Sequence, residues 1–162
     1  MTLYPWLVYL HIVGAFLFAF GHGTSAVVSF KVRGELDRAR ITALLDVSQL
    51  SQGVMYGGFV LLLAGGIAAG IVGQWFGQLW LWAAIAILVV ITMTMYAISS
   101  PYYGRLRAAL GQKDYQQKFG PVGPVSDTEL VAMLRSHRPD ALAAIGGIGL
   151  ALIIWLMVFK PA

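Results

Sequence analysis

The 162 residues are 59% hydrophobic and 11% charged, with 19 glycines, 5 tryptophans and no cysteine. That balance excludes a water-soluble globular domain, and the missing thiols exclude disulfides, thiolate metal centres and iron–sulfur clusters. The formal net charge of +4 does not point to nucleic acid, because the basic residues gather in two connections between apolar runs, as the positive-inside tendency of membrane proteins requires.

Charges are absent from 1–30, 47–104 and 141–159. A hydrocarbon core of about 30 Å takes roughly 20 apolar helical residues, so the outer runs hold one span each and the middle run holds two. The expected architecture is an all-α, four-transmembrane-helix bundle in a single domain, with spans at about 5–29, 53–73, 79–99 and 139–159. Lipid is its first partner.

The first span opens at Tyr4-Pro5-Trp6, a first-turn proline between two interfacial rings. It lacks a basic leader and is longer than a signal h-region, so we read it as retained. His11 and His22 lie within it, eleven residues apart. On an ideal helix that spacing returns within about 20°, and the two imidazoles are expected on one stripe with Ala15, Phe18 and Ser25. In the connection 31–52, Ile41, Leu44, Leu45 and Leu50 recur at near-helical spacing, which predicts a short amphipathic helix on the membrane surface.

The second span is crowded with small residues, Gly53 and Gly57, Gly66 and Gly70, Gly65 and Ala69, which let helices approach closely in lipid. Gly73-Gln74-Trp75-Phe76-Gly77-Gln78 is a polar turn. The third span closes with Thr92, Tyr96 and Ser99 on one face, suited to bonding a neighbouring helix. The long connection 100–140 is punctuated at Pro101 and at Gly120-Pro121-Val122-Gly123-Pro124, and Ser126 with Glu129 forms a capping box that opens a short helix to about Ser136. Ala143, Gly147 and Ala151 make a further small stripe in the last span.

Four lysines and arginines fall in the first connection, none in the 73–78 turn, six in the third connection and one at the C-terminal end. This asymmetry predicts both termini outside the cytoplasm.

An ionisable side chain within a span marks a functional site facing the bundle interior by default, which makes His11 and His22 the candidate metal and cofactor ligands. The plainer alternative is packing, since one hydrogen bond to a carbonyl, a serine or a tyrosine satisfies a neutral imidazole. Zinc asks for three or four ligands at one depth, which two intramembrane histidines do not supply. Copper(I) can use His11 with the sulfur of Met157. Haem b asks for one or two axial ligands: His22 with His137, Met55, Met93 or Met95, and Arg105, Lys118 or Arg138 toward the propionates, or His11 with Met157 and Lys160 at the other end. Electron exchange with a quinone or a membrane redox partner would follow. A small transporter finds less support, because the spans hold no carboxylate and the halves show no inverted repeat. An accessory subunit of a larger membrane complex, or of a homo-oligomer, is the non-enzymatic alternative.

Leu10-His11-Ile12-Val13-Gly14, the four-span layout and the closing Phe159-Lys160-Pro161 resemble a group of small bacterial membrane proteins: foremost a family of predicted four-span integral membrane proteins with no assigned reaction, and more loosely the CopD-type copper-resistance proteins and the HemJ-type protoporphyrinogen oxidases. The HemJ resemblance implies haem b and matches His11 to that family's first-helix histidine. It departs at that family's third-span lysine, since this chain has no lysine between Lys31 and Lys113. The CopD resemblance implies copper handling.

Overall fold

The computed structural model describes residues 3–119 and 125–161, and is helical almost throughout. The turn read at 120–124 lies outside these residues. Among the described residues six α-helices follow in order: α1 (Tyr4–Lys31), α2 (Arg38–Val72), α3 (Leu79–Ala109), α4 (Lys113–Phe119), α5 (Asp127–Leu134) and α6 (Arg138–Phe159). Of these, α1, α2, α3 and α6 carry the four segments long and apolar enough to cross a membrane.

Two antiparallel pairs make up the membrane part, α1 with α2 and α3 with α6. The first is held backbone to backbone. A Cβ on Gly14 would lie 2.3 Å from the Leu62 nitrogen, one on Gly21 would lie 2.6 Å from the Ser51 carbonyl oxygen, one on Gly58 would lie 2.5 Å from the Phe18 nitrogen, and one on Gly65 would lie 2.7 Å from the His11 nitrogen. Only glycine fits at these four positions, spaced seven apart on each helix. The stripes expected at Gly53 and Gly57, and at Gly147, are not packed within the chain: among the described residues a Cβ on any of the three meets nothing within 4 Å. In the second pair, Trp80, Ala84 and Leu156 share one buried cluster, and Gly149 seats the Ile91 side chain.

At 1.5 Å per residue, the 35 residues of α2 span about 52 Å, well beyond the hydrocarbon core. The excess forms a cap at the basic end. The short surface helix expected in 31–52 is therefore not a separate element; it is the first turns of α2. Its apolar residues turn inward because they have protein partners there: Ile41 and Leu45 are fully buried with Val28, Val32, Leu106, Leu130 and Leu134. Leu50 stays exposed. Glu35 turns the chain into α2 by accepting from the backbone N–H groups of Asp37 and Leu36, which holds its carboxyl below the usual carboxylate range. Asp37 then caps the helix through the Ala39 N–H.

Pro101 does not break α3; it sits inside it. The helix runs on for two further turns and carries Leu106 and Arg107 into the cap. The capping box at Ser126 and Glu129 opens α5, and α4, an element without a sequence signature, leans its Phe119 ring on Gly104. Ion pairs tie the cap together. Arg33 donates to both carboxylate oxygens of Asp140 at 2.9 and 2.7 Å, Arg38 pairs with Asp127 at 2.8 Å, and buried Arg107 donates to Asp46, Gln112 and the Leu45 carbonyl.

Two stability outcomes follow from these contacts. Gly14→Ala drives a methyl into the α2 backbone and costs about 2 kcal/mol or more, whereas Gly57→Ala, one residue from the seam, is neutral or stabilising by up to about 1 kcal/mol; reversible unfolding in mixed micelles followed by circular dichroism separates them. Arg107→Ala removes the side-chain donor that reaches the Leu45 carbonyl and the partner of Asp46, and costs about 1–3 kcal/mol in the same assay.

Candidate functional site

His11 sits at the α1–α2 seam. Gly66 on α2 has no side chain, and a Cβ there would lie 2.6 Å from His11 Nδ1. The ring occupies that space and reaches the Leu62 carbonyl at 2.8 Å. A carbonyl oxygen can only accept, so Nδ1 carries the hydrogen and Nε2 of the neutral ring keeps its lone pair. Among the described residues Nε2 has no hydrogen-bond partner. Arg33 Nε is the buried side-chain polar atom without one, so Nε2 is not sealed in. This is the orientation metal-ligating histidines take, one nitrogen anchored on a carbonyl and the other presented outward.

His22 has a different environment. It stacks parallel on Phe18, with interplanar angle 8°, and its edge lies against α6: a Cβ on Gly146 would be 2.7 Å from His22 Nε2, and 3.3 Å from the Met95 methyl of α3. Neither ring nitrogen is hydrogen-bonded among the described residues. The two histidines meet different helices. His11 faces α2, and His22 bridges to the other pair.

His137 stands at the start of α6 with its side chain in solvent and Nδ1 on Asp140 at 3.2 Å. Nine residues of α6, about 14 Å of rise, separate it from the Gly146 that His22 touches, so one iron does not reach both. Met157 packs on the Trp80 cluster. Lys160 lies over Trp75 and Trp80 at 4.2 and 5.7 Å from the ring centroids, and Trp75 donates to the Tyr4 hydroxyl at 3.2 Å. His11, Met157 and Lys160 thus belong to the end of the bundle opposite the cap. Among the described residues no three histidines or carboxylates gather as a metal site, and Tyr96, on the face suited to bonding a neighbouring helix, is exposed.

A hydroxyl chain escaped the sequence reading. Ser25 meets Ser48 at 3.0 Å and Ser51 at 3.1 Å, Ser29 donates to the Ser25 carbonyl at 2.7 Å, and Ser29 also bonds the Tyr103 hydroxyl. It joins α1, α2 and α3 just inside the cap. The signal was present in Ser25, Ser48 and Ser51 on the seam positions, legible only once the pairing of α1 with α2 is known.

Comparison with known protein families, with curated protein sequences and with solved structures finds no match to this chain. Geometry alone therefore ranks the candidates, and it separates His11 from the others by its fixed tautomer. In protein labelled with ¹⁵N-histidine, Gly66→Ala pushes the ring off Leu62 and converts the single Nδ1–H signal of His11 to a tautomer mixture, while Gly57→Ala leaves it unchanged. An unaltered spectrum in Gly66→Ala would remove the Leu62 anchor.

Proposed function

We propose that this chain is a four-span bacterial inner-membrane protein, both termini outside, that binds haem b through His11 and serves electron transfer in the bilayer. The observation that carries the proposal is the Nδ1–H bond from His11 to the Leu62 carbonyl, which leaves Nε2 as an outward ligand at a depth of about 10 Å from the start of α1. Haem fits better than zinc or copper because it needs a single protein nitrogen. Bound haem b would supply one-electron exchange between ferric and ferrous iron, with a quinone or a membrane redox protein as the partner class. The protein's part would be to orient the imidazole, to raise its basicity through Leu62, and to hold Lys160 at the same end of the bundle. The proposed sidedness rests on the cations of the cap and their absence from the 73–78 turn.

The test is the absorption spectrum of protein purified in mild detergent from cells supplied with a haem precursor, oxidised and then reduced with dithionite. A Soret band that shifts on reduction is expected. His11→Ala should lower haem occupancy at least tenfold, and His22→Ala should keep it. No Soret band in the unmodified protein at any haem supply sinks the proposal, and survival of the band in His11→Ala moves the ligand elsewhere.

A second reading, an accessory subunit of a membrane complex, draws on α3: in an 18-residue stretch of it only 6% is buried within the chain. Purification of the protein alone and monomeric after gentle solubilisation counts against that reading.

A further inference from the structure

An open groove of about 600 Å³ lies where α3 and α6 leave the membrane for the cap. Its floor is apolar: Ala97, Ile98 and Pro101 of α3 on one wall, Ala141 of α6 on the other. Its mouth holds His137 and Arg138. The Arg138 guanidinium rests over the Tyr102 ring at 5.9 Å and has no ion pair among the described residues. Among the described residues no carboxylate lines the groove, and Asp140 beside its mouth is already held by both nitrogens of the Arg33 fork and by His137. The local field is therefore positive.

The apolar strip does not stop at the groove. One and two turns further in, the same faces of the two helices carry Met93 and Val90 on α3 and Ile148 on α6, at 69%, 63% and 64% exposure. A ligand with an anionic head at Arg138 and a long apolar tail along this strip would match the surface from end to end. A soluble anion would leave the strip bare, and an acidic peptide would have to carry backbone amides into hydrocarbon unsatisfied.

We infer that this groove is a binding site for an anionic phospholipid of the cytoplasmic leaflet, with the phosphate at Arg138 and an acyl chain between α3 and α6. The site is independent of His11 and of haem, and only its assignment to the cytoplasmic leaflet rests on the proposed sidedness. It takes its cation from α6 and its apolar walls from both helices, so it draws on the diffuse attraction of a basic membrane face and adds a shaped seat to it.

Native mass spectrometry of the full chain in detergent, titrated with phosphatidylglycerol or phosphatidylcholine, tests the inference. One phosphatidylglycerol is expected to remain bound where phosphatidylcholine does not. Arg138→Ala should weaken retention about fivefold, the effect of one cation near an anionic surface. Ala141→Phe, which fills the floor without changing charge at an exposed position, should weaken it comparably. Arg105→Ala, an exposed cation of the same cap outside the groove, is the charge-matched control and should leave binding unchanged. Equal retention of the two lipids, an equal loss in Arg105→Ala, or full binding in Ala141→Phe would each overturn the site. Excess inorganic phosphate should fail to displace the lipid; displacement would reduce the site to a headgroup contact and overturn the part assigned to the groove.

Discussion

In hydrocarbon two helices gain nothing by hiding apolar surface from each other, since lipid tails are as apolar as leucine; what holds α1 to α2 is how closely their backbones approach. Gly14 and Gly21 on one helix, Gly58 and Gly65 on the other, set that approach and its register. Everything else at the seam inherits it. Ser25 meets Ser51 because Gly21 faces the turn from Ser51 to Met55, and the imidazole of His11 meets Leu62 because Gly65 and Gly66 give it room. Seams made this way are specific, because a methyl at any of the four glycines collides with main chain, which cannot yield as a side-chain tip can.

The same chain solves a different problem in the cap. There water is the solvent, burial of apolar area stabilises, and the large side chains that are fully buried, Ile41, Leu45, Leu106, Leu134 and Val32, all belong to it. The membrane part buries little and exposes Phe16, Phe20, Val90 and Phe159, which lipid can cover. Long helices connect the two regimes. Because α2 and α3 pass from lipid into water without a break, a single residue such as Arg107 at the far end of α3 can lock onto the far end of α2 and transmit the position of one helix to the other.

The four spans were legible because the bilayer imposes a length and a composition that no loop imitates. Their true ends were not. Pro101 reads as a stop, yet it costs α3 one hydrogen bond at the water boundary, where exposed backbone can be solvated, and the contacts of Leu106 and Arg107 beyond it repay the loss. The first turns of α2 read as an amphipathic surface helix because membrane and protein core ask for the same apolar stripe; what told them apart was a partner more than 60 residues away, Leu106. Small residues were read by abundance, whereas the ones that matter are those with main chain opposite them. Gly57 and Gly58 are neighbours in sequence and opposites in role. The capping box at Ser126 was fully local and was legible for that reason.

The two histidines carry this lesson into the chemistry. Identity and spacing could say that both lie in a span, and an ideal helix put them on one face. Packing separates their surroundings: one imidazole enters the α1–α2 seam and the other lies against Gly146 of α6. Among the described residues only the first meets a main-chain acceptor. Its tautomer is thus a consequence of helix packing: shift α2 by one residue and the Leu62 carbonyl turns away by about 100°, freeing Nδ1 and unfixing Nε2. In this fold the glycines that bring two helices into contact are also what decides which nitrogen of His11 holds a proton, and a ligand at Nε2 would bind to a geometry set by residues it never touches.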